Sequence, residues 1–162
     1  MKKIVPALFF CLLIFTGCAS QPTPVTAPSP MDEARETLVR FLDLLHSKQY
    51  AEADTLYGGD YEQLQIFNTD AEPSDHAALW AWSCEMSGLQ CLEARNAVIN
   101  QQQGDTFVFL VEFSNPDGSL FVLGPCCGAT EEEMPPVSQF TYRVTKNSDG
   151  KFLVMDLPPY VP

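Results

Sequence analysis

Hydrophobic positions along this chain change period near Gly88, from spacing that suits helices to alternation that suits strands. Ala34, Leu38, Phe41, Leu42 and Leu45 recur at helical spacing, which makes one apolar stripe on a helix running to about Lys48. Its start carries three signals: Ser29 as N-cap, Pro30 at the first helical position and Asp32 as the capping-box partner. After a break at Ser47 to Gln49, a second helix shows Tyr50, Ala53, Leu56 and Tyr57 on its apolar side. Gly58-Gly59 end it, because glycine readily takes the left-handed conformation a helix terminus requires. Asp60 to Phe67 holds a further turn or two of helix. Ser74 is then expected to cap a third clear helix, with Leu79, Trp82, Ser83 and Met86 on one side and Ser87-Gly88 as its stop.

Beyond Gly88 the pattern reads as strands. Leu92 to Asn100 forms the first, and Thr106 to Phe113 (TFVFLVEF) the second, apolar on both faces and therefore central. The turn Asn115-Pro116-Asp117-Gly118 leads into an expected strand over Ser119 to Leu123. The loop GPCCGATEEEMPP separates it from Ser138 to Val144, where Phe140, Tyr142 and Val144 alternate with polar residues. Asn147 to Gly150 makes a hairpin turn into Phe152 to Leu157. Helices followed by an antiparallel meander imply an α+β fold, about three N-terminal helices packed on a curved antiparallel sheet.

The N-terminus carries a different kind of information. Lys2 and Lys3 precede an apolar run from Ile4 to Phe15, the layout of a secretory signal. The run is shorter than the about 20 apolar residues of a spanning helix. Phe15-Thr16-Gly17-Cys18 resembles the bacterial lipobox, in which a small residue precedes a cysteine that is lipidated on sulfur and becomes the mature N-terminus. That resemblance implies cleavage after residue 17, a lipid on Cys18 and membrane attachment without spanning. With Ala19 rather than Asp after the cysteine, it also implies outer-membrane sorting, facing the periplasm, in a host with two membranes. The following ASQPTPVTAPSP favours an extended tether, which at about 3.1 Å per residue spaces the body roughly 30 to 40 Å from the lipid. The expected organisation is thus signal peptide 1–17, lipidated cysteine and tether 18–31, and a single domain 32–162.

Composition adds two constraints. An apolar fraction of 46% is that of a folded body rather than a disordered one. Once Lys2 and Lys3 leave with the signal, seven basic residues face 21 acidic ones, a net charge of −14. Such a surface repels nucleic acid, whose binding needs clustered Lys and Arg, so that class of function is excluded.

Of six cysteines, Cys11 lies in the signal and Cys18 would carry lipid, leaving Cys84, Cys91, Cys126 and Cys127. An even number in an oxidising compartment points to disulfides. Zinc is the rival reading, disfavoured because no CxxC spacing occurs and neither histidine adjoins a cysteine in sequence. A meander separates Cys91 from Cys126 and Cys127 by a strand length of about 25 Å, whereas a bridge needs Cα atoms within about 7 Å. Cys84 with Cys91 is therefore the expected pair. Cys126 and Cys127 are left to pair with each other or stay free, unless the loop from Gly124 to Pro136 folds back and brings them to Cys84 and Cys91.

The stretch LVRFLDLLHSKQYAEADTLY, within three helices followed by a long-stranded meander, resembles the nuclear-transport-factor-two-like superfamily, the cone-shaped α+β roll, over about residues 32 to 158. The resemblance implies a sheet wrapped around the first helix with a conical pocket between them. Enzymes of that superfamily, ketosteroid isomerases and scytalone dehydratases among them, place Asp, His and Tyr inside the cone. The candidates here are Asp75 and His76, with Tyr61 or Tyr142. A His beside an Asp suits general-base work, although at a helix N-terminus both more readily serve as surface and capping residues. His46 complements the dipole of the first helix.

Glu131-Glu132-Glu133 has the oxygen ligands calcium takes, although three consecutive residues seldom converge on one ion and a solvated acidic loop is the simpler reading. Trp80, Trp82, Phe107, Phe109 and Phe113 line either a ligand pocket or the core. The expectation is a monomeric, non-enzymatic envelope lipoprotein, held to the membrane by its lipid, whose domain binds a protein partner or a small apolar ligand. It needs neither cofactor nor metal. The alternative is a tethered small-molecule enzyme, of isomerase or dehydratase type, that uses the cone.

Overall fold

The computed structural model describes residues 28–162; the expected signal segment, Cys18 and most of the expected tether lie outside the described residues. The elements in order are α1 (Pro30–His46), α2 (Tyr50–Asp54), α3 (Glu62–Phe67), α4 (His76–Glu85), β1 (Glu93–Gln103), β2 (Thr106–Ser114), β3 (Phe140–Lys146) and β4 (Phe152–Val154). The strands form one sheet in the order β1-β2-β3-β4, every neighbouring pair antiparallel. This is the expected α+β class, with β2 flanked on both sides. Register shifts interrupt β1 between Ala94 and Asn96 and again between Ile99 and Gln101. Bulges of this kind bend a strand and raise its twist, so they curve the sheet.

Helix α1 packs against all four strands. It begins as its sequence dictates: Ser29 Oγ accepts the Asp32 N–H at 3.2 Å, and the Ser29 hydroxyl donates to the Asp32 carboxylate at 2.7 Å. Its stripe, Ala34, Leu38, Phe41, Leu42 and Leu45, is buried, joined by Leu44. Around it close Leu64, Leu79, Trp80, Phe109, Val111, Phe113, Tyr142 and Val144, all within one core. Phe41 and Trp80 meet edge to face at 5.6 Å, and Phe113 and Tyr142 at 6.1 Å, the arrangement that ring quadrupoles prefer.

Four expectations are corrected. The cap of α4 is Asp75, not Ser74: the Asp75 carboxylate accepts the Ala78 N–H at 3.1 Å. The buried side of α4 is Leu79, Trp80 and Ser83, while Trp82 and Met86 face outward, 42% and 68% exposed. Ser119 to Leu123 makes only isolated bridges, Ser114 with Leu120 and Leu123 with Val137. Because β3 pairs with β2 over Thr106 to Val111, only the end of β2 is left to that segment, where the Phe121 N–H donates to the Phe113 carbonyl at 2.9 Å. Finally, β4 stops at Val154 because Asp156 turns its carboxylate back to accept the Arg143 N–H at 2.6 Å, in the place of a ladder bond.

Candidate functional site

The aromatic positions expected either to line a cone or to fill it are divided by the fold. Trp80, Phe107, Phe109 and Phe113 belong to the core, at 0–3% exposure, and Trp82 lies at the surface. Tyr142 is buried among them, with its hydroxyl lacking a protein partner among the described residues.

The polar cluster lies instead where α2, the start of α3 and the start of α4 meet. Asp54 Oδ1 accepts the hydroxyl hydrogen of Tyr61 and lies 3.2 Å from Nδ1 of His76. The Tyr61 ring stacks on the His76 imidazole at 3.7 Å between centroids, 13° from parallel. Tyr57 meets Tyr61 edge to face at 5.2 Å and Trp80 at 5.0 Å, and donates its own hydroxyl to the Asp60 carbonyl at 2.9 Å.

The pair Asp75-His76 is therefore not the unit that forms. Asp75 is committed to its cap, and Asp54, from another helix, is the carboxylate that orients His76. No local sequence signal singles out Asp54, since the contact depends on how α2 packs on α4. An imidazole held through Nδ1 by a carboxylate has the geometry of a general base. Both side chains are about one-third exposed, 36% for His76 and 30% for Asp54. Burial first, then the hydrogen bond and charge of Asp54, push the Tyr61 hydroxyl far above the ordinary tyrosine range, against a smaller opposite influence from Trp80. Tyr61 thus stays protonated and serves as a fixed donor.

A groove of about 490 Å³ opens beside the C-terminal end of α4. Its floor includes Cys84 and Cys91, which form a disulfide with Cα atoms 5.5 Å apart, the expected pairing. On its walls the Tyr50 hydroxyl donates to Glu85 at 2.9 Å, Lys48 Nζ approaches the same carboxylate at 3.4 Å, and His46 Nδ1 lies 3.2 Å from the Cys91 carbonyl. The Glu85 carboxyl is held below its usual range, first by the Tyr50 hydroxyl and then by Lys48. A second, shallower concavity on the outer face of α4 is lined by Ala78, Ala81, Trp82 and Met86 and shares Glu85 and Met86 with the groove.

The remaining candidates take local roles. Glu133 accepts the Thr130 N–H at 2.8 Å and closes a turn. Among the described residues, no group of three His, Cys, Asp or Glu side chains is placed to hold a metal ion. No described helix is long and apolar enough to cross a membrane. Cys126 and Cys127 are unbridged, with their sulfurs 2.7 Å apart. No protein-family model matches the chain, and neither a curated protein nor a solved structure is significantly similar to it.

The tyrosines set an alkaline limit. Burial raises Tyr50 to about 12, with help from Glu85, and pushes Tyr57, Tyr61 and Tyr142 higher still. In the unfolded chain these hydroxyls ionise near pH 10. The folded state therefore holds protons the unfolded state gives up, and the stability this represents is complete below about pH 10 and lost as pH rises through the folded values. In tyrosinate absorbance and circular dichroism recorded together against pH, the larger part of the absorbance rise should coincide with the loss of native dichroism. Full tyrosine ionisation near pH 10 with native dichroism would contradict the packing around Tyr57 and Tyr61.

Proposed function

We propose that this chain is a lipid-anchored envelope protein whose domain, a nuclear-transport-factor-two-like roll, is a binding module that recognises a protein partner. The observation that carries this reading is the division of aromatics on α4: Trp80 fills the interior that a substrate would need, and Trp82 and Met86 are turned outward beside the groove. An exposed indole and thioether at the lip of a concavity suit a partner that inserts apolar side chains. The net charge of the chain, −12 including its signal segment, favours a partner with a basic rim. The lipid on Cys18 would hold this surface at the membrane face of the envelope.

The test uses the full chain in a host that lipidates proteins. Cys18→Ser should release the domain from the membrane or leave an unprocessed precursor, and unchanged detergent partitioning would defeat the anchor. A photo-crosslinking residue at Met86 should yield a discrete adduct that one at Val98, exposed on β1, does not, and Trp82→Ala should reduce it. Identical adducts from both positions would defeat the binding surface.

The Asp54, His76 and Tyr61 geometry supports a second reading, a tethered small-molecule enzyme with His76 as base. It requires turnover that His76→Ala abolishes and Trp82→Ala spares.

A further inference from the structure

The loop after Leu123 holds two adjacent cysteines in an arrangement that an extended chain does not produce. Successive side chains of an extended backbone point to opposite sides. Here Cys127 has φ +61° and Gly128 φ +89°, two left-handed residues in a row, and the Ala129 N–H closes a turn onto the Cys126 carbonyl at 2.9 Å. The turn brings Cys126 Sγ and Cys127 Sγ to 2.7 Å. Left-handed backbone is rare for a residue with a side chain, and at Cys127 it accompanies two sulfurs in contact. The base of the loop is fixed by the Leu123–Val137 bridge, with hydrogen bonds of 2.8 and 2.9 Å in both directions. The other two cysteines among the described residues, Cys84 and Cys91, are already joined. The described residues therefore carry one closed pair across a packed turn and one open pair in a loop.

We propose that Cys126 and Cys127 form a thiol–disulfide exchange site, a dithiol that takes its oxidising equivalents from a small-molecule or protein disulfide. Cys127 is the attacking sulfur, because it is the exposed member of the pair, and Cys126, half-buried, is the resolving one. Contact with the Cys127 sulfur, before any effect of burial, raises the Cys126 thiol.

In the first step the Cys127 thiolate attacks a disulfide RS–SR′. A Cys127–SR bond forms, the RS–SR′ bond breaks, and R′S⁻ leaves and takes up a proton. In the second step Cys126 gives up its proton and attacks Cys127 Sγ. The intramolecular bond forms and RS⁻ departs as RSH. The sum is one external disulfide and two protein thiols converted to one protein disulfide and two external thiols. Neighbouring Cα atoms across a trans peptide are about 3.8 Å apart, below the roughly 4.4 to 6.8 Å that disulfides prefer. The bridge so formed is reducible, and the site runs in both directions. None of this depends on the lipid anchor or on the Trp82 surface.

The experiment takes the purified full chain, equilibrates it with glutathione and glutathione disulfide at several ratios, quenches with an alkylating reagent and maps the peptide containing both cysteines by mass. The wild-type peptide is expected to interconvert, according to the ratio, between a doubly alkylated form and an unalkylated form two hydrogens lighter than the free dithiol peptide. Cys126→Ser should trap Cys127 as a stable mixed disulfide with glutathione. Cys127→Ser should lower the rate of mixed-disulfide formation by about tenfold or more, as expected when the accessible attacking thiolate is removed. The proposal is overturned if the wild-type pair stays doubly alkylated at every ratio, if the mixed disulfide persists in wild type, or if either cysteine links to Cys84 or Cys91. Equal rates for the two serine variants would overturn the assignment of roles.

Discussion

Trp80→Ala is expected to lower the unfolding free energy by about 3 to 5 kcal/mol, the usual cost of truncating a large buried aromatic. Trp80 is fully buried and touches Phe41, Tyr57 and Tyr61 edge to face, so its loss opens a void at the junction of α1, α2 and α4. A domain of this size has roughly 5 to 15 kcal/mol in total, and the melting temperature should fall by about 10 °C or more. Trp82→Ala, two residues along the same helix and 42% exposed, should cost clearly less, about 1 kcal/mol. Thermal or urea unfolding of the two variants reads the rotation of α4 directly. A larger loss from Trp82→Ala would mean that the helix presents its other face to the core.

Gly88→Ala is the second large effect. Gly88 has φ +89°, and a Cβ there would lie 2.1 Å from the Val161 carbonyl oxygen. The chain around Leu89 pairs with the stretch around Tyr160: Gln90 N–H donates to the Pro159 carbonyl at 2.7 Å, and Val161 N–H to the Gly88 carbonyl at 2.9 Å. A methyl group would add left-handed strain of about 1 to 2 kcal/mol and break one or two hydrogen bonds worth about 1 kcal/mol each. The expected total is about 2 to 4 kcal/mol, with faster proteolysis near residue 160. Gly104→Ala is the matched control, since Gly104 also has positive φ (+59°) but nothing within 4 Å of its Cβ position. Equal losses at the two sites would show that Val161 does not pack on Gly88.

How far these features can be read from sequence varies with how sharply the local pattern discriminates. The stripe and cap of α1 were legible because Ser29, Pro30 and Asp32 leave one start and Leu38, Phe41, Leu42 and Leu45 leave one buried side. The Cys84–Cys91 bridge followed from topology, as the meander keeps both ends of the pair beside the same turn. The face of α4 was not legible. In AALWAW every position is apolar, and the choice of Trp80 over Trp82 belongs to the ring cluster it enters. The strand expected at Ser119 to Leu123 is cut to isolated bridges for a non-local reason, since β3 takes β2 over Thr106 to Val111 and leaves only its end. Asp54 was silent for the same kind of reason, because its partners lie on α4 and ahead of α3.

The embrace of α1 by all four strands also governs how the chain reaches its native state. The apolar stripe of α1 is made early, yet the strands that cover it come far later in sequence, and the Tyr57–Val154 bridge that ties the end of α2 to β4 closes a loop of nearly the whole domain. Such high contact order slows folding toward the millisecond-to-second range. Until β3 and β4 arrive, Leu38, Phe41 and Leu45 remain a bare apolar surface, the part of the nascent protein that a chaperone would hold.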